Sequence, residues 1–178
     1  MVLRYRVSLP GIKGFARVYE VKDTTTLYSL HKQMRADMDF PQDQLVLFKA
    51  MDEKGNVTAR YGIFNLGAGT IDSVTLGQTF RKGEVTFIYF YDTTNAKSVI
   101  VTCEGQAEER RGLIYPALVE SKGPNPVEFE NGYVAFEDLP DEKKKSIQSG
   151  EDDDEDEYQD EETDSDTEEI YDEDQDDE

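Results

Sequence analysis

A single histidine, His31, and a single cysteine, Cys103, are the side chains of this sequence best suited to metal ligation or thiol chemistry. One of each excludes a His-paired zinc site, a cysteine-cluster metal site and an intramolecular disulfide, since all three need at least two such residues. His31 falls inside the helical pattern TLYSLHKQM, where a lone imidazole is expected to be structural or to face solvent. Cys103 shares the parity of Val99 and Val101 in VIVTCEG, which makes it a small core residue rather than a nucleophile. If the fold brought the two together they would form a base and a nucleophile, but no surrounding motif supports the pair.

Other constellations are weaker still. Gly67, Ala68 and Gly69 are a fragment of a glycine loop, yet Asp72 stands where the third glycine of a dinucleotide fingerprint would fall, and no Gly-Lys-Ser or Gly-Lys-Thr follows. DSDTEE near the C-terminal end lacks the central glycine and spacing of an EF-hand. Asp92, Glu128 and Tyr133 are the residues a carboxylate and tyrosine enzyme would use, but their spacing names no substrate. The expectation is therefore no catalytic residue, no metal site and no cofactor: a protein that is not an enzyme.

Charge is distributed very unevenly. Residues 151–178 carry 20 Asp and Glu and no Lys or Arg, so residues 1–150 keep 20 acids against 19 bases; the net −21 divides into −20 and −1. Three sizeable apolar residues, Tyr158, Ile170 and Tyr171, cannot offset the ordering entropy of this acidic run, so 149–178 is expected to be a disordered tail and 1–148 one domain. Such a polyanion repels nucleic acid and anionic lipid, so direct binding to either is not favoured, whereas a basic protein surface would attract it. Arg4, Arg6 and Lys13 form one small basic strip and Arg110 with Arg111 another; these are the candidate interaction surface. MVLRYRVSLPG has no continuous apolar stretch, and no run reaches the roughly 20 apolar residues of a membrane span, so a cytoplasmic protein is expected.

The elements that would position these groups can be read from periodicity. LRYRVSL alternates Leu3, Tyr5, Val7 and Leu9 against Arg4, Arg6 and Ser8 as a half-buried strand does, and FARVYEV returns after Pro10, Gly11 and Gly14. Its register is ambiguous, because Arg17 shares a parity with Phe15, Tyr19 and Val21. Leu27, Leu30, Met34 and Met38 line one stripe of a helix capped by Asp23, Thr24 or Thr25. QLVLFKAM and VTARY form a hairpin about DEKGN, and residues 63–83 read as mostly loop with a short helical or strand piece near Leu76. EVTFIYFYD is apolar on both parities, as suits a central strand, and KSVIVTCEG is its antiparallel partner. Residues 106–135 read as a folded loop or arm, and AFEDLPDEKKKSI as a last helix. The fold class expected is α+β: one domain with a mixed or antiparallel sheet, one or two helices and the acidic tail.

The order of DTTTLYSLH, FPQDQLVLF, GEVTFIYFYD, YPALVESKGPNP and NGY resembles the plasmid pRi ORF-three-like family, sometimes labelled TnpR-like, over roughly residues 4 to 139. The chain departs from that pattern at YDTTNAKS, where the family continues into a Phe-Gly-Asp and Trp segment; at Gln44, where a His is usual; and at NPVEFENG, in place of a Pro-Pro-Glu-Asp-Cys-Gly-Gly motif. The resemblance implies an α+β domain of bacterial or archaeal mobile-element neighbourhoods with no established chemistry. The first half, with hairpin, Thr-capped helix and FPQDQLVLF, also looks like a β-grasp, the ubiquitin-type arrangement. The function expected is a non-enzymatic interaction domain with a polyanionic tail and a protein partner. The alternative is a mobile-element or nucleic-acid-linked accessory protein whose tail mimics or shields against nucleic acid.

Overall fold

The computed structural model describes residues 1–128. Tyr133, the expected last helix and the expected disordered tail lie outside the described residues.

The chain runs β1 (Val2–Leu9), β2 (Ile12–Lys22), α1 (Leu27–Asp37), β3 (Leu47–Met51), β4 (Val57–Gly62), α2 (Leu76–Arg81), β5 (Thr86–Asp92), β6 (Lys97–Ala107), β7 (Ala117–Lys122) and a 3-10 turn at Pro126–Glu128. Seven strands form one sheet in the order β4-β3-β5-β6-β1-β2-β7, and every neighbouring pair is antiparallel. The fold is α+β. The expected hairpins β1–β2, β3–β4 and β5–β6 all form. The β-grasp likeness goes no further than hairpin and helix: β1 lies between β6 and β2, and β3 between β4 and β5.

Alternation explains the main core. Leu3, Tyr5 and Val7 of β1, Tyr19 and Val21 of β2, Phe48 of β3, Phe87 and Tyr89 of β5 and Val99 and Val101 of β6 point to one face, where Leu27, Leu30 and Met34 of α1, its C-cap Met38 and Leu76 of α2 cover them. β5 is buried along its whole length, as its two apolar parities require.

Two details differ from the sequence reading, the cap of α1 and the strand β7, and two settle what it left open. Thr26, not Asp23, Thr24 or Thr25, caps α1: its hydroxyl accepts the amide of Ser29, the group left unpaired in the first turn. The element near Leu76 is a helix started by a capping box, in which Thr75 takes the Gln78 amide and the Gln78 side chain takes the Thr75 amide. β7 occupies Ala117–Lys122 within a segment read as loop or arm; pairing with β2 overrides the breaking effect of its flanking Pro and Gly. Arg17 resolves the β2 ambiguity. It is buried, and its guanidinium donates to the carbonyls of Ala16, Lys122 and Gly123 and to Oδ1 of Asn125, all at 2.6–2.9 Å. A charge can sit on an apolar parity when its terminal N–H groups are directed at acceptors, as both Nη atoms of Arg17 are.

Candidate interaction surface

Among the described residues the hairpin β3–β4 ends the sheet, and the outer backbone groups of β4 face no further described strand. Past Gly62 the chain turns back: the Ile71 amide donates to the Gly62 carbonyl at 3.0 Å, and Gly62 and Thr70 form a parallel bridge. Residues 63–69 are thus a short loop held at both ends beside the sheet edge. Asn65 organises its interior, with Oδ1 accepting the amides of Gly67 at 2.8 Å and Gly69 at 3.1 Å. Both glycines have φ of +112°, a backbone state that a side chain would strain.

This ordered loop carries its apolar side chains outward. Phe64 is 73% exposed, Leu66 55% and Ile63 49%, while Leu45, just ahead of β3, is 61% exposed. The Leu66 side chain comes close to Gly62, where a Cβ would meet it at 3.4 Å. Single exposed apolar residues are ordinary, but four at one end of one hairpin form a patch of the kind that marks contact sites. The sequence signal was IFNL in a Gly-rich stretch, an apolar run with neither strand nor helix period to bury it.

The predicted basic strips take a different form. Arg4 and Arg110 converge on Glu20, whose side chain is only 4% exposed: Arg110 Nη2 donates at 2.5 Å and Nε at 3.1 Å, Arg4 Nη1 at 3.5 Å. Arg4 and Arg6 also donate to Glu104 at 2.8 and 2.5 Å, and Glu120 lies 3.5 and 3.9 Å from them. The two strips are therefore joined at Arg4 and Arg110, and three guanidinium groups face three carboxylates. Burial alone would raise Glu104, but the hydrogen bonds from Arg6 and Arg4 hold its carboxyl below the usual range. Lys13 sits apart, at the turn end of β2, and Arg111 lies exposed in the loop after β6.

Of the residues considered for chemistry, His31 and Cys103 are not brought together. His31 is buried against Tyr89. Cys103 lies opposite Tyr5, and its amide donates to the carbonyl of Val85, just ahead of β5 and four residues, or about 13 Å of extended chain, from Tyr89. Burial pushes the Cys103 thiol up, which disfavours the thiolate. Asp92 accepts the Asn95 amide at 3.0 Å and its Nδ2 at 2.8 Å, bonds that lower its carboxyl and shape the β5–β6 turn. Glu128 ends the 3-10 turn, and Tyr133 lies outside the described residues. In the Gly67–Gly69 fragment, the amides a phosphate would need are turned onto Asn65. No group of three His, Cys, Asp or Glu that could hold a metal occurs among the described residues. No described helix is long and apolar enough to cross a membrane.

Sequence reasoning missed a buried carboxylate. Glu84, 3% exposed, accepts the hydroxyl of Tyr61 at 2.8 and 3.0 Å and that of Thr58 at 3.4 Å, while Lys82 Nζ reaches the same phenol at 3.4 Å. Burial, then the carboxylate itself, pushes the Tyr61 phenol well up, so it stays a donor. A Glu just ahead of an apolar strand gives no sign of this.

Comparison with known proteins sets the frame. No curated protein matches the sequence. A crystal structure of a protein of unknown function, MM3350 from Methanosarcina mazei Go1, is similar over 67% of this chain and 68% of its own, with a TM-score of 0.55 and 21% identity, a likeness of fold. The model of the plasmid pRiA4b ORF-3-like protein family matches residues 1–177. The chain belongs to that family, and the match reaches well beyond the 4–139 span on which the resemblance was read.

Proposed function

We propose that this chain is a non-enzymatic interaction domain that binds a protein partner through the apolar loop Ile63–Leu66 and Leu45, with its acidic run favouring a partner of basic surface. The observation that carries the reading is Phe64, the most exposed aromatic side chain of the described residues, presented on a loop that Asn65 already orders. An aromatic anchor on a preorganised loop loses little entropy on docking, and its burial is worth about 1.5–3 kcal/mol. Aromatic residues of this kind are the usual hot spots of interfaces. The −20 of residues 151–178 adds long-range attraction to a basic partner and repels nucleic acid.

The nucleic-acid reading draws no support from the arginines. Arg4, Arg6 and Arg110 already face Glu20, Glu104 and Glu120, so a phosphate backbone would have to compete with carboxylates.

The test is affinity purification from the native cell with the full chain, a form ending at residue 150, and full-length Phe64→Ser and Leu66→Ser. A partner should be lost with either loop substitution at unchanged thermal unfolding, and weakened by loss of the tail at low salt, with little further effect of that loss at high salt, where the attraction is screened. Equal recovery with both substitutions would overturn the assignment of the loop.

A further inference from the structure

The connection from β6 to β7 passes two strands, because β1 and β2 lie between its ends in the sheet. That crossing is three strand spacings, about 14 Å, whereas residues 108–116 reach about 30 Å when extended. The surplus chain forms a fixed protrusion. Arg110 anchors it by donating to the buried Glu20, and the Arg110 amide donates to the Tyr115 hydroxyl at 2.9 Å. Lys22 pairs with Glu109 and lies 5.2 Å from the centre of the Tyr115 ring. Between these anchors the Leu113 amide donates to the Arg110 carbonyl at 3.4 Å, closing a tight turn in which Gly112 has φ of +80°, the state that the third residue of a type II turn requires. Arg111 thus occupies the corner, and Ile114 follows the turn. Leu113 and Tyr115 are half-buried, but Ile114 is 86% exposed, the highest value among the large apolar side chains described.

We infer that this protrusion is a second docking site, in which Ile114 enters an apolar pocket of a partner protein and Arg111 pairs with a carboxylate at the rim of that pocket. Charge selects the rim. Glu109 is taken by Lys22 and Arg110 by Glu20, and Glu108 stands at the foot of the loop next to Ala107, while Arg111 makes no ion pair among the described residues; the charge beside Ile114 is therefore cationic. An anchor that is already ordered docks at little entropic cost. The site is also separate from Phe64. Gly62, where the other loop departs, is level with Leu47, Phe90 and Ser98, and Ala107, where this one departs, lies at the far end of β6, about 30 Å along the strand from Ser98. A contact patch of ordinary size, about 800 Å² on each partner, is about 30 Å across, so one patch does not cover both loops. The domain thereby becomes a bridge that holds two proteins at once. The bridging rests on the reading of the Phe64 loop; the Ile114 site does not.

Photo-cross-linking of the full chain in its native cell tests this, with p-benzoylphenylalanine replacing Ile114 or, in a separate chain, Leu66. The adduct at position 114 should keep its yield when Phe64→Ser is added, fall by about tenfold with Arg111→Glu and be retained with Arg111→Lys, all at an unchanged urea midpoint. A chain carrying both replacements should give one product holding two different proteins. An adduct at 66 with none at 114 overturns the second site and leaves the Phe64 loop standing. Adducts at 114 that Phe64→Ser abolishes, or that Arg111→Glu leaves unchanged, overturn it as well. An adduct at 114 with none at 66 instead overturns the bridge together with the reading of the Phe64 loop, and none at either position overturns both sites.

Discussion

Nδ1 of His31 lies 2.7 Å from the phenolic oxygen of Tyr89, a contact that ties the middle of α1 to an inner strand of the sheet. Burial, reinforced by the charges of Arg35 and Lys32, lowers the imidazole to about 4. A neutral ring with its hydrogen on Nε2 can accept the Tyr89 hydroxyl at Nδ1, and burial keeps that phenol protonated.

A pH dependence follows from this pair. The unfolded imidazole titrates near 6.5 and the folded one near 4, so between these values the unfolded state binds more protons. Stability is therefore complete above about pH 6.5 and is lost progressively down to about pH 4, by up to about 3 kcal/mol. Urea unfolding of the wild type and His31→Gln at several pH values checks it. The substitution should lower stability at pH 7 but flatten the slope between pH 4 and 6.5; parallel curves would show that His31 does not titrate on unfolding.

Glu84 depends on Tyr61 for its shortest hydrogen bonds. Tyr61→Phe deletes that donor and leaves a buried carboxylate with the Thr58 hydroxyl at 3.4 Å. The loss should be about 1–3 kcal/mol at neutral pH. Adding Glu84→Gln should recover part of it, because a neutral amide tolerates the same surroundings better than an unpaired charge. Chemical denaturation of the single and double variants reads both; additive losses would mean that the two side chains do not interact.

The ion network predicts an asymmetry. Glu20 is nearly enclosed, while Arg4 and Arg110 keep 34% and 54% of their side-chain surface in water. Removing one guanidinium leaves Glu20 the other, so Arg4→Met or Arg110→Met should each cost no more than about 1 kcal/mol. Removing both strands the carboxylate, and the double variant should lose clearly more than the sum. A double-mutant cycle by thermal unfolding checks the sign of that coupling.

What the sequence revealed and what it hid follow from the range of the interactions involved. Period two in LRYRVSL and EVTFIYFYD, and the stripe Leu27, Leu30, Met34 and Met38, are local patterns, so strands, helix and hairpins were legible. β7 was hidden because Ala117–Lys122 has no strand pattern of its own and is stabilised by β2, about 100 residues earlier. Arg17 looked misplaced for the same reason: its acceptors on the far side are 105 to 108 residues away. The arginines stood out in the sequence as basic strips, but Glu20 and Glu104, which pair with them, sit on other strands. The apolar loop was visible only as a run with no burial pattern.

The final expectation concerns Asn65, which separates preorganisation of the loop from contact by it. Its Oδ1 holds the amides of Gly67 and Gly69, both in the loop itself, so Asn65→Ala should leave global stability within about 1 kcal/mol. Locally the two amides lose their acceptor, and their exchange should accelerate by roughly tenfold, the equivalent of about 1.4 kcal/mol. Phe64 remains present, but the loop must then be ordered on binding, so partner affinity should fall through a slower association or faster release without being abolished. Surface plasmon resonance against the partner recovered by affinity purification distinguishes this from Phe64→Ser, which removes the anchor itself. An Asn65→Ala variant that binds as tightly as the wild type would show that the loop needs no prior order.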